Sequence, residues 1–365
     1  MVVRDGQGYH REIGENLLKE IFERDYNRGA KQITILGGKG VGKSTLLLRF
    51  ALRSLEVGDM VIWRGRFRDI WTRLNPNDVV LYFHELDNPR ILRFKPHSDS
   101  SEDVTSEYKI KKYQDSKDLL QTLERDRLNV VYEPSYFLPS EDFRGRMGLN
   151  GDIIEGIGWW YEFLEVITKR PSAIWTTICF DEIHDLAPSG TSGPLWKLIE
   201  KGQSYFSELR DRYITFYGVT HDFSLIDFRI QRKFTWFIYL AGSHPVKGTA
   251  MREKTVVNWL KEGEGIIESI DKGQYGKIAF DPFPPKKYIY LIERVWNGPL
   301  PKPKQKKRRS WGLKAELLEI AETEGVEKAL QVLEELFKEK KVSRTHYNRL
   351  KTDIKVLEDD QKLLY

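Results

Sequence analysis

An eight-residue glycine-rich segment constrains this chain more than any other feature of its sequence. Residues 37–44, Gly-Gly-Lys-Gly-Val-Gly-Lys-Ser, match the phosphate-binding pattern G-x-x-x-x-G-K-[ST] at every fixed position. The apolar run 33–36 precedes the segment and the leucine-rich run 45–52 follows it, which predicts a strand, a tight loop and a helix. Such a loop presents backbone N–H groups to an anion at the positive end of a helix. The sequence therefore predicts a site for a nucleoside triphosphate.

The residue types in this phosphate-binding loop suggest separate tasks. Glycines permit the tight wrap of the backbone. Lys43 is placed to reach the β- and γ-phosphates, and the Ser44 hydroxyl is placed to ligate Mg²⁺. We therefore predict ATP and Mg²⁺ as the bound groups. The predicted nucleotide contacts are Gly37, Gly38, Lys39, Gly40, Val41, Gly42, Lys43, Ser44 and Thr45.

A second apolar run ends in two adjacent carboxylates. The run 175–180 leads directly into Asp181 and Glu182, the arrangement known as a Walker B motif. A carboxylate at the end of a strand can hold Mg²⁺, and its neighbour can orient and polarise an attacking water. We assign Asp181 to the metal together with Ser44, and Glu182 to catalysis together with Lys43. An acidic helix start would place the same residue types here for a structural reason, but the loop upstream favours the catalytic interpretation.

Composition indicates a globular protein. The 365 residues are 40% hydrophobic and 12% aromatic, which excludes a disordered chain. The single cysteine, Cys179, cannot form a disulfide within the chain, and no stretch has the pattern of a signal peptide. No run reaches the roughly 18 consecutive apolar residues of a membrane span. We therefore expect a cytoplasmic protein without a membrane span.

The pattern of apolar runs predicts an α/β fold. Further strand-like runs lie at 60–63, 79–83, 129–132, 214–219 and 236–240, and amphipathic helical segments alternate with them. This alternation is typical of a mostly parallel sheet with helices on both faces, which binds ligands at its carboxyl edge. The polar segment at about 95–112 is predicted to be an exposed insertion, and the glycine-containing loops 139–152 and 188–193 are candidate pore loops.

Four regions are predicted along the chain. An N-terminal helical segment (1–30) leads into the ATPase domain (31–298), which a basic linker (299–312) connects to a helical C-terminal domain (313–365). The linker mixes prolines with six Lys and Arg and contains no acidic residue. The last of three helical stripes in the C-terminal domain carries basic side chains, as the recognition helix of a helix-turn-helix unit would. DNA binding and a role as a lid or oligomerisation element both remain open for this domain.

The motifs together resemble a known group of enzymes. The adjacent Asp181 and Glu182, with extra strands between them and the phosphate-binding loop, resemble the RecA-like (ASCE) branch of P-loop NTPases that carries its own catalytic glutamate. Segment 208–221, in which a basic helix end leads through an apolar strand to Thr220 and His221, resembles the HerA/FtsK translocases. That resemblance implies an ATP-hydrolysing, ring-forming motor that moves DNA, with a hexamer of identical subunits as the expected assembly.

The same resemblance implies two further catalytic residues. Arg210 stands where these translocases have an arginine finger that reaches the γ-phosphate of a neighbouring subunit, and Arg212 competes for that role. His221 takes the place of a glutamine sensor.

An AAA+ or STAND-type ATPase, acting as a switch or adaptor on a protein partner, is the main alternative. Archaeal members of that class also combine a helix before the loop with an Asp-Glu pair. The 138 residues between Lys43 and Asp181 exceed the compact AAA+ arrangement and favour the HerA/FtsK type. A superfamily-two helicase needs a second RecA-like domain, for which no room remains after residue 245.

Overall fold

A ten-stranded, mostly parallel sheet organises the larger part of the chain in the computed structural model, which forms two compact units, 1–300 and 301–365. The structure describes residues 8–136, 141–147, 156–251, 254–284, 287–298, 316–318, 320–321, 325–339 and 342–362. The strands are β1 (Gln32–Leu36), β2 (Met60–Arg64), β3 (Val79–His84), β4 (Asp87–Phe94), β5 (Ser101–Asp103), β6 (Lys109–Tyr113), β7 (Leu128–Val131), β8 (Thr176–Phe180), β9 (Ile214–Thr220), β10 (Trp236–Tyr239), β11 (Glu264–Ser269), β12 (Gln274–Ala279) and β13 (Ile289–Trp296).

Helices connect most of these strands. The α-helices are α1 (Gly8–Ile21), α2 (Lys43–Glu56), α3 (Ser116–Thr122), α4 (Glu141–Met147), α5 (Ile157–Lys169), α6 (Gly193–Glu208), α7 (Phe228–Gln231), α8 (Val326–Lys338) and α9 (Arg344–Lys362). Short 3₁₀ helices lie at Ile70–Arg73, Pro76–Asp78, Thr105–Glu107, Ile183–Asp185, Phe223–Leu225 and Lys254–Trp259. None of the helices in the described ranges combines the length and the apolar run needed to cross a membrane.

The order of the strands decides which loops become neighbours. The order is β12-β11-β10-β1-β9-β8-β2-β7-β3-β6, and only β11 and β12 run antiparallel to their neighbours. Strand β9 lies between β1 and β8, with Leu36 opposite Thr220 and Phe180 opposite Gly218. The carboxyl ends of β1, β9 and β8 therefore lie side by side. The predicted α/β fold with a mostly parallel sheet is confirmed.

Helices cover both faces of the sheet because successive strand residues point in opposite directions. On β8, Ile178 and Phe180 face a hydrophobic cluster that includes residues of α5 and α6. Cys179 faces the other cluster, which includes residues of α1 and α2. Strands buried on both faces are typical of parallel sheets and explain why these segments are almost continuously apolar.

Segment 95–112, predicted to be an exposed insertion, is largely exposed but contains regular strands that were not predicted. It contains β5 and nearly all of β6, and β6 pairs in parallel with β3 at one edge of the main sheet. Its polar composition fits an edge strand, where lysines remain exposed and block pairing with another chain. Lys109 and Lys111 pair with Glu124 at 2.5 and 2.8 Å, while Tyr113 is buried.

A second sheet was not predicted. It consists of three antiparallel strands in the order β13-β4-β5. Loop 139–152 was predicted to be irregular, yet its residues 141–147 form α4. The remainder of that loop lies outside the described residues.

The second unit is helical. The described helices α8 and α9, with the helical residues 316–318 and 320–321, enclose a separate hydrophobic cluster that includes Leu317, Leu333 and Leu350. A C-terminal helical region is therefore present, as predicted. The predicted basic linker, 299–312, lies outside the described residues.

Two helical glycines predict opposite effects of the same substitution. A Cβ on Gly202 of α6 would lie 2.1 Å from Cε1 of the buried Tyr161, whereas a Cβ on Gly145 of α4 would meet nothing within 4 Å. We expect Gly202→Ala to lower the free energy of unfolding by about 1–3 kcal/mol through overpacking. The matched control Gly145→Ala should raise it by about 0.5–1 kcal/mol because alanine favours the helix. Urea unfolding checks this, and a Gly202→Ala protein as stable as the control would contradict the packing of α5 against α6.

Candidate nucleotide-binding and catalytic site

The phosphate-binding loop joins β1 to α2 through two left-handed glycines. Gly40 has φ +80° and Gly42, which immediately precedes α2, has φ +93°, so both positions favour glycine over any residue with a Cβ. Within this described loop, no side chain caps the helix. The Leu46 N–H donates to the Gly42 carbonyl at 2.9 Å, whereas the N–H groups of the first helical turn before it have no acceptor within the helix. The loop therefore offers free donors and a positive helix end to an anion.

Lys43 is buried and held by three acceptors. Its Nζ donates to the carbonyl oxygens of Gly37 and Gly38 at 3.0 and 2.6 Å and lies 3.0 Å from Nδ1 of His221. Burial lowers the pKa of Lys43, and the carboxylates of Glu182 and Asp181 oppose that shift. Because the ammonium has only donors, Nδ1 of His221 accepts here, which assigns the imidazole proton to Nε2.

The predicted metal ligands come together across the sheet. The Ser44 hydroxyl donates to Oδ2 of Asp181 at 2.9 Å. Burial raises the pKa of Asp181, and the hydrogen bond from Ser44 opposes the shift. Across the described residues, no group of three or more His, Cys, Asp or Glu side chains could hold a metal by itself. One carboxylate and one hydroxyl fit Mg²⁺, which usually completes its shell with waters and substrate phosphates.

Glu182 adopts a backbone conformation that few residues of its type occupy. Its φ and ψ of 62° and 64° are left-handed, which costs about 1 kcal/mol for a residue with a Cβ. Two imidazoles face its carboxylate: Nε2 of His221 lies 3.3 Å from Oε1, and Nδ1 of His184 lies 3.3 Å from Oε2. His221 therefore contacts both Lys43 and Glu182 and links the two in one chain of polar contacts.

A half-buried ion-pair network beside the site was missed by sequence reasoning. Arg64, at the end of β2, donates to Asp185 at 2.9 Å and to Glu133 at 3.1 Å. Burial acts to lower the pKa of Arg64, but the two carboxylates outweigh it and raise that pKa. Trp160 donates its indole N–H to the other oxygen of Glu133 at 2.9 Å. The sequence did contain a signal for this network: a charged residue ends or follows each of two apolar strands, Arg64 at β2 and Glu133 after β7.

The loop after β2 brings a second arginine to the carboxylate of Glu182. Nη1 of Arg66 lies 4.0 Å from Oε1 of Glu182, and Nη2 lies 4.0 Å from Asp185. Asp69 anchors this loop by accepting hydrogen bonds from the backbone N–H groups of Arg66 and Ile70. Burial raises the pKa of Asp69 to about 7.

The structure does not bring Arg210 to the phosphate-binding loop of its own chain. Arg210 is exposed at the amino end of β9, where its Nε donates to the carbonyl of Arg28 at 2.9 Å. The seven residues of β9 separate it from His221, a span of roughly 23 Å at the usual rise of a strand. Arg212 is exposed at the same end. Either arginine could serve only a phosphate held by another subunit.

Comparison with known proteins finds distant structural likenesses. No family model and no curated protein match the chain. It is similar to the genome packaging NTPase B204 of Sulfolobus turreted icosahedral virus 2 in complex with AMPPCP, with 10% identity, 70% of this chain and 98% of that chain covered, and a TM-score of 0.39. It is also similar to the plasmid coupling protein TrwB in complex with ADPNP, with 10% identity, 74% and 92% covered, and a TM-score of 0.46.

A third likeness is to the N-terminal domain of zonular occludens toxin from Neisseria meningitidis, with 12% identity, 69% and 95% covered, and a TM-score of 0.26. All three likenesses are distant, with at most 12% identity and TM-scores of 0.46 or less.

Cys179 provides a chemical test of the strand that carries Asp181 and Glu182. It is the only cysteine, its side chain is fully buried in β8, and burial raises its pKa well above the ordinary value. Because the thiolate is the reactive form, we expect the native protein to react with a thiol reagent on the order of 100-fold more slowly than the urea-unfolded protein. Cys179→Ser controls for background labelling. Rapid labelling of the native protein would contradict the burial of this strand.

Proposed function

We propose that this chain is an ATP hydrolase that couples hydrolysis to the movement of DNA and works as a ring of identical subunits. One observation carries the proposal: Lys43, Ser44, Asp181 and Glu182 meet at the carboxyl ends of β1 and β8, the two neighbours of β9, with the Ser44 hydroxyl 2.9 Å from Asp181. A phosphate-binding loop, a metal pair and a separate carboxylate are the parts that phosphoryl transfer to water requires.

The triphosphate is proposed to bind the loop by replacing internal contacts. The free N–H groups at the start of α2 and the Lys43 ammonium would receive the β- and γ-phosphate oxygens. Lys43 now donates to two neutral carbonyls, and hydrogen bonds to an anion are about twice as strong as those to neutral acceptors. The phosphate oxygens should therefore replace Gly37, Gly38 and His221 as the hydrogen-bond acceptors of Lys43.

Ser44 and Asp181 would hold Mg²⁺, which when bound neutralises charge on the phosphate oxygens. In the proposed reaction, Glu182 orients a water and accepts its proton as the water oxygen bonds to the γ-phosphorus. The bond between the γ-phosphorus and the oxygen that bridges it to the β-phosphate breaks, and that oxygen leaves with the electron pair as part of ADP. His221 and His184 lie 3.3 Å from the two oxygens of the Glu182 carboxylate, and protonation of either would add an ion pair that orients it. His221 also touches Lys43, so nucleotide binding and the orientation of Glu182 are coupled through one side chain.

Assembly into a ring would place Arg210 at a neighbour's site. Arg210 lies at the amino edge of the sheet and so cannot reach a triphosphate in the phosphate-binding loop of its own subunit. In a ring of identical subunits, this amino edge would face the phosphate-binding loop of the next subunit. Arg212 is the alternative finger. A charge in this position stabilises the developing negative charge of the transition state.

DNA is the proposed substrate because segment 208–221 resembles the HerA/FtsK pattern and because basic residues concentrate between 299 and 309. B204 is a DNA-packaging ATPase and TrwB a conjugative coupling protein. We propose the same class of substrate for this chain, with the cytoplasm as its location. The competing function is a nucleotide-dependent switch acting on a protein partner.

ATPase assays without DNA, with duplex DNA and with single-stranded DNA test this function. We expect Lys43→Ala to abolish ATP binding, while the control Lys117→Ala, which changes an exposed lysine of α3 outside the loop, retains it. Glu182→Gln should bind ATP within about threefold of the native protein yet hydrolyse it about 10²–10⁴-fold more slowly, because it loses the proton acceptor.

Native turnover should rise when DNA is added, and the gain should shrink as salt increases. Unchanged hydrolysis by Glu182→Gln would remove its catalytic role. An ATPase rate indifferent to DNA at every salt concentration would favour the switch.

A further inference from the structure

A row of alternating aromatic and guanidinium groups lies on the surface of α6 and α7. Arg229 stands 5.0 Å from the ring centre of Trp196 and 5.6 Å from that of Phe228, and Arg232 stands 5.3 Å from Phe228. We call these four residues the stacking row. Phe228 is 55% exposed and Trp196 is 41% exposed, so both rings present area to solvent.

The guanidinium in the middle of the stacking row is fixed in place. Asp227 accepts two hydrogen bonds from Arg229, from Nε and Nη2, both at 2.8 Å. Arg229 is 9% exposed, whereas Arg232 is exposed. The rings of Trp196 and Phe228 thus lie beside the fixed guanidinium of Arg229. Because both rings are exposed, packing in a hydrophobic core does not explain their position.

The stacking row continues into a basic cleft. Arg232 also lines a cleft of about 710 Å³ at the amino edge of β1 and β10. Its charged lining consists of six basic residues, Arg28, Lys31, Arg210, Arg232, Lys233 and Lys272, and two acidic ones, Glu20 and Asp271. Glu20 is engaged by Arg28, by Lys272 and, through its backbone carbonyl, by Lys31. In the described parts of the chain, Arg210, Arg232 and Lys233 have no carboxylate within ion-pair distance.

We propose that the stacking row and the basic cleft form one binding surface for single-stranded nucleic acid. Unpaired bases would stack on Phe228 and Trp196, and the phosphates would follow the cleft cations Arg232 and Lys233, which leaves Arg210 to the neighbouring subunit. Surfaces that bind single strands combine these two features: aromatic rings that accept any base and a positive groove that follows the backbone. Duplex DNA keeps its base faces covered, so the exposed rings select the single strand.

This inference deepens the proposed function, because it names the form of nucleic acid and where it binds. It also differs from the contacts expected of an arginine finger. A neighbour's triphosphate would use the cations of the cleft, but it would leave Phe228 and Trp196 without a role.

Fluorescence anisotropy with the full chain tests the surface in the absence of nucleotide. The probes are a labelled 20-nucleotide oligothymidine and a labelled duplex of the same length. We expect Phe228→Ala and Trp196→Ala each to weaken binding of the single strand by about 5–100-fold. Phe228→Tyr should retain binding, and Arg232→Ala should reduce the slope of log affinity against log salt by about 0.7.

The control is Trp259→Ala, which removes a tryptophan that is 81% exposed and lies outside both the stacking row and the cleft lining. Binding equal to that of the native protein is expected. Unchanged single-strand affinity in both alanine variants would overturn the proposal. So would loss of self-association in Phe228→Ala with no effect on DNA, because the surface would then be a contact between subunits. Since no nucleotide is present, failure of this test is distinguishable from failure of ATP hydrolysis.

Discussion

Parallel pairing of β9 between β1 and β8 is the constraint on which the candidate site rests. It sets three strand ends in a row, so that the phosphate-binding loop, His221 and the Asp181–Glu182 pair become neighbours although 138 residues separate Lys43 from Asp181. The ladder hydrogen bonds of a sheet buried on both faces hold these ends rigidly. Rigid placement of charged groups is what allows them to stabilise a transition state without first reorganising.

Within that row, the charged groups satisfy one another at some cost. Lys43 is desolvated but finds two carbonyls and an imidazole, and Glu182 occupies a left-handed backbone that brings its carboxylate between two histidines. Local strain of this kind persists only where the surrounding structure enforces it, and it is common at functional sites. The neighbouring network of Arg64, Glu133 and Asp185 supplies part of that enforcement, since each of its members ends or follows a strand or lies in the turn after Glu182.

Residues in short, local patterns could be predicted from the sequence. The loop from Gly37 to Ser44 needs only its own glycines and the flanking strand and helix, and Asp181 needs only its position after an apolar strand. Contacts between distant segments could not be predicted. The polar strand β6 depends on pairing with β3, the network around Arg64 joins four segments, and the stacking row joins α6 to α7 across 33 residues. The remoteness of Arg210 from its own loop likewise follows from strand direction, which residue spacing does not reveal.

We propose that Lys43 and Glu182 respond together, through His221, to a triphosphate at the carboxyl edge of the sheet. A structure determined with Mg²⁺ and a non-hydrolysable ATP analogue tests this most directly. We expect Nζ of Lys43 to leave the carbonyls of Gly37 and Gly38 and Nδ1 of His221 and to contact the β- and γ-phosphates, with Mg²⁺ held by Ser44 and Asp181. A triphosphate bound elsewhere, or a bound loop in which Lys43 keeps its contact with His221, would contradict it.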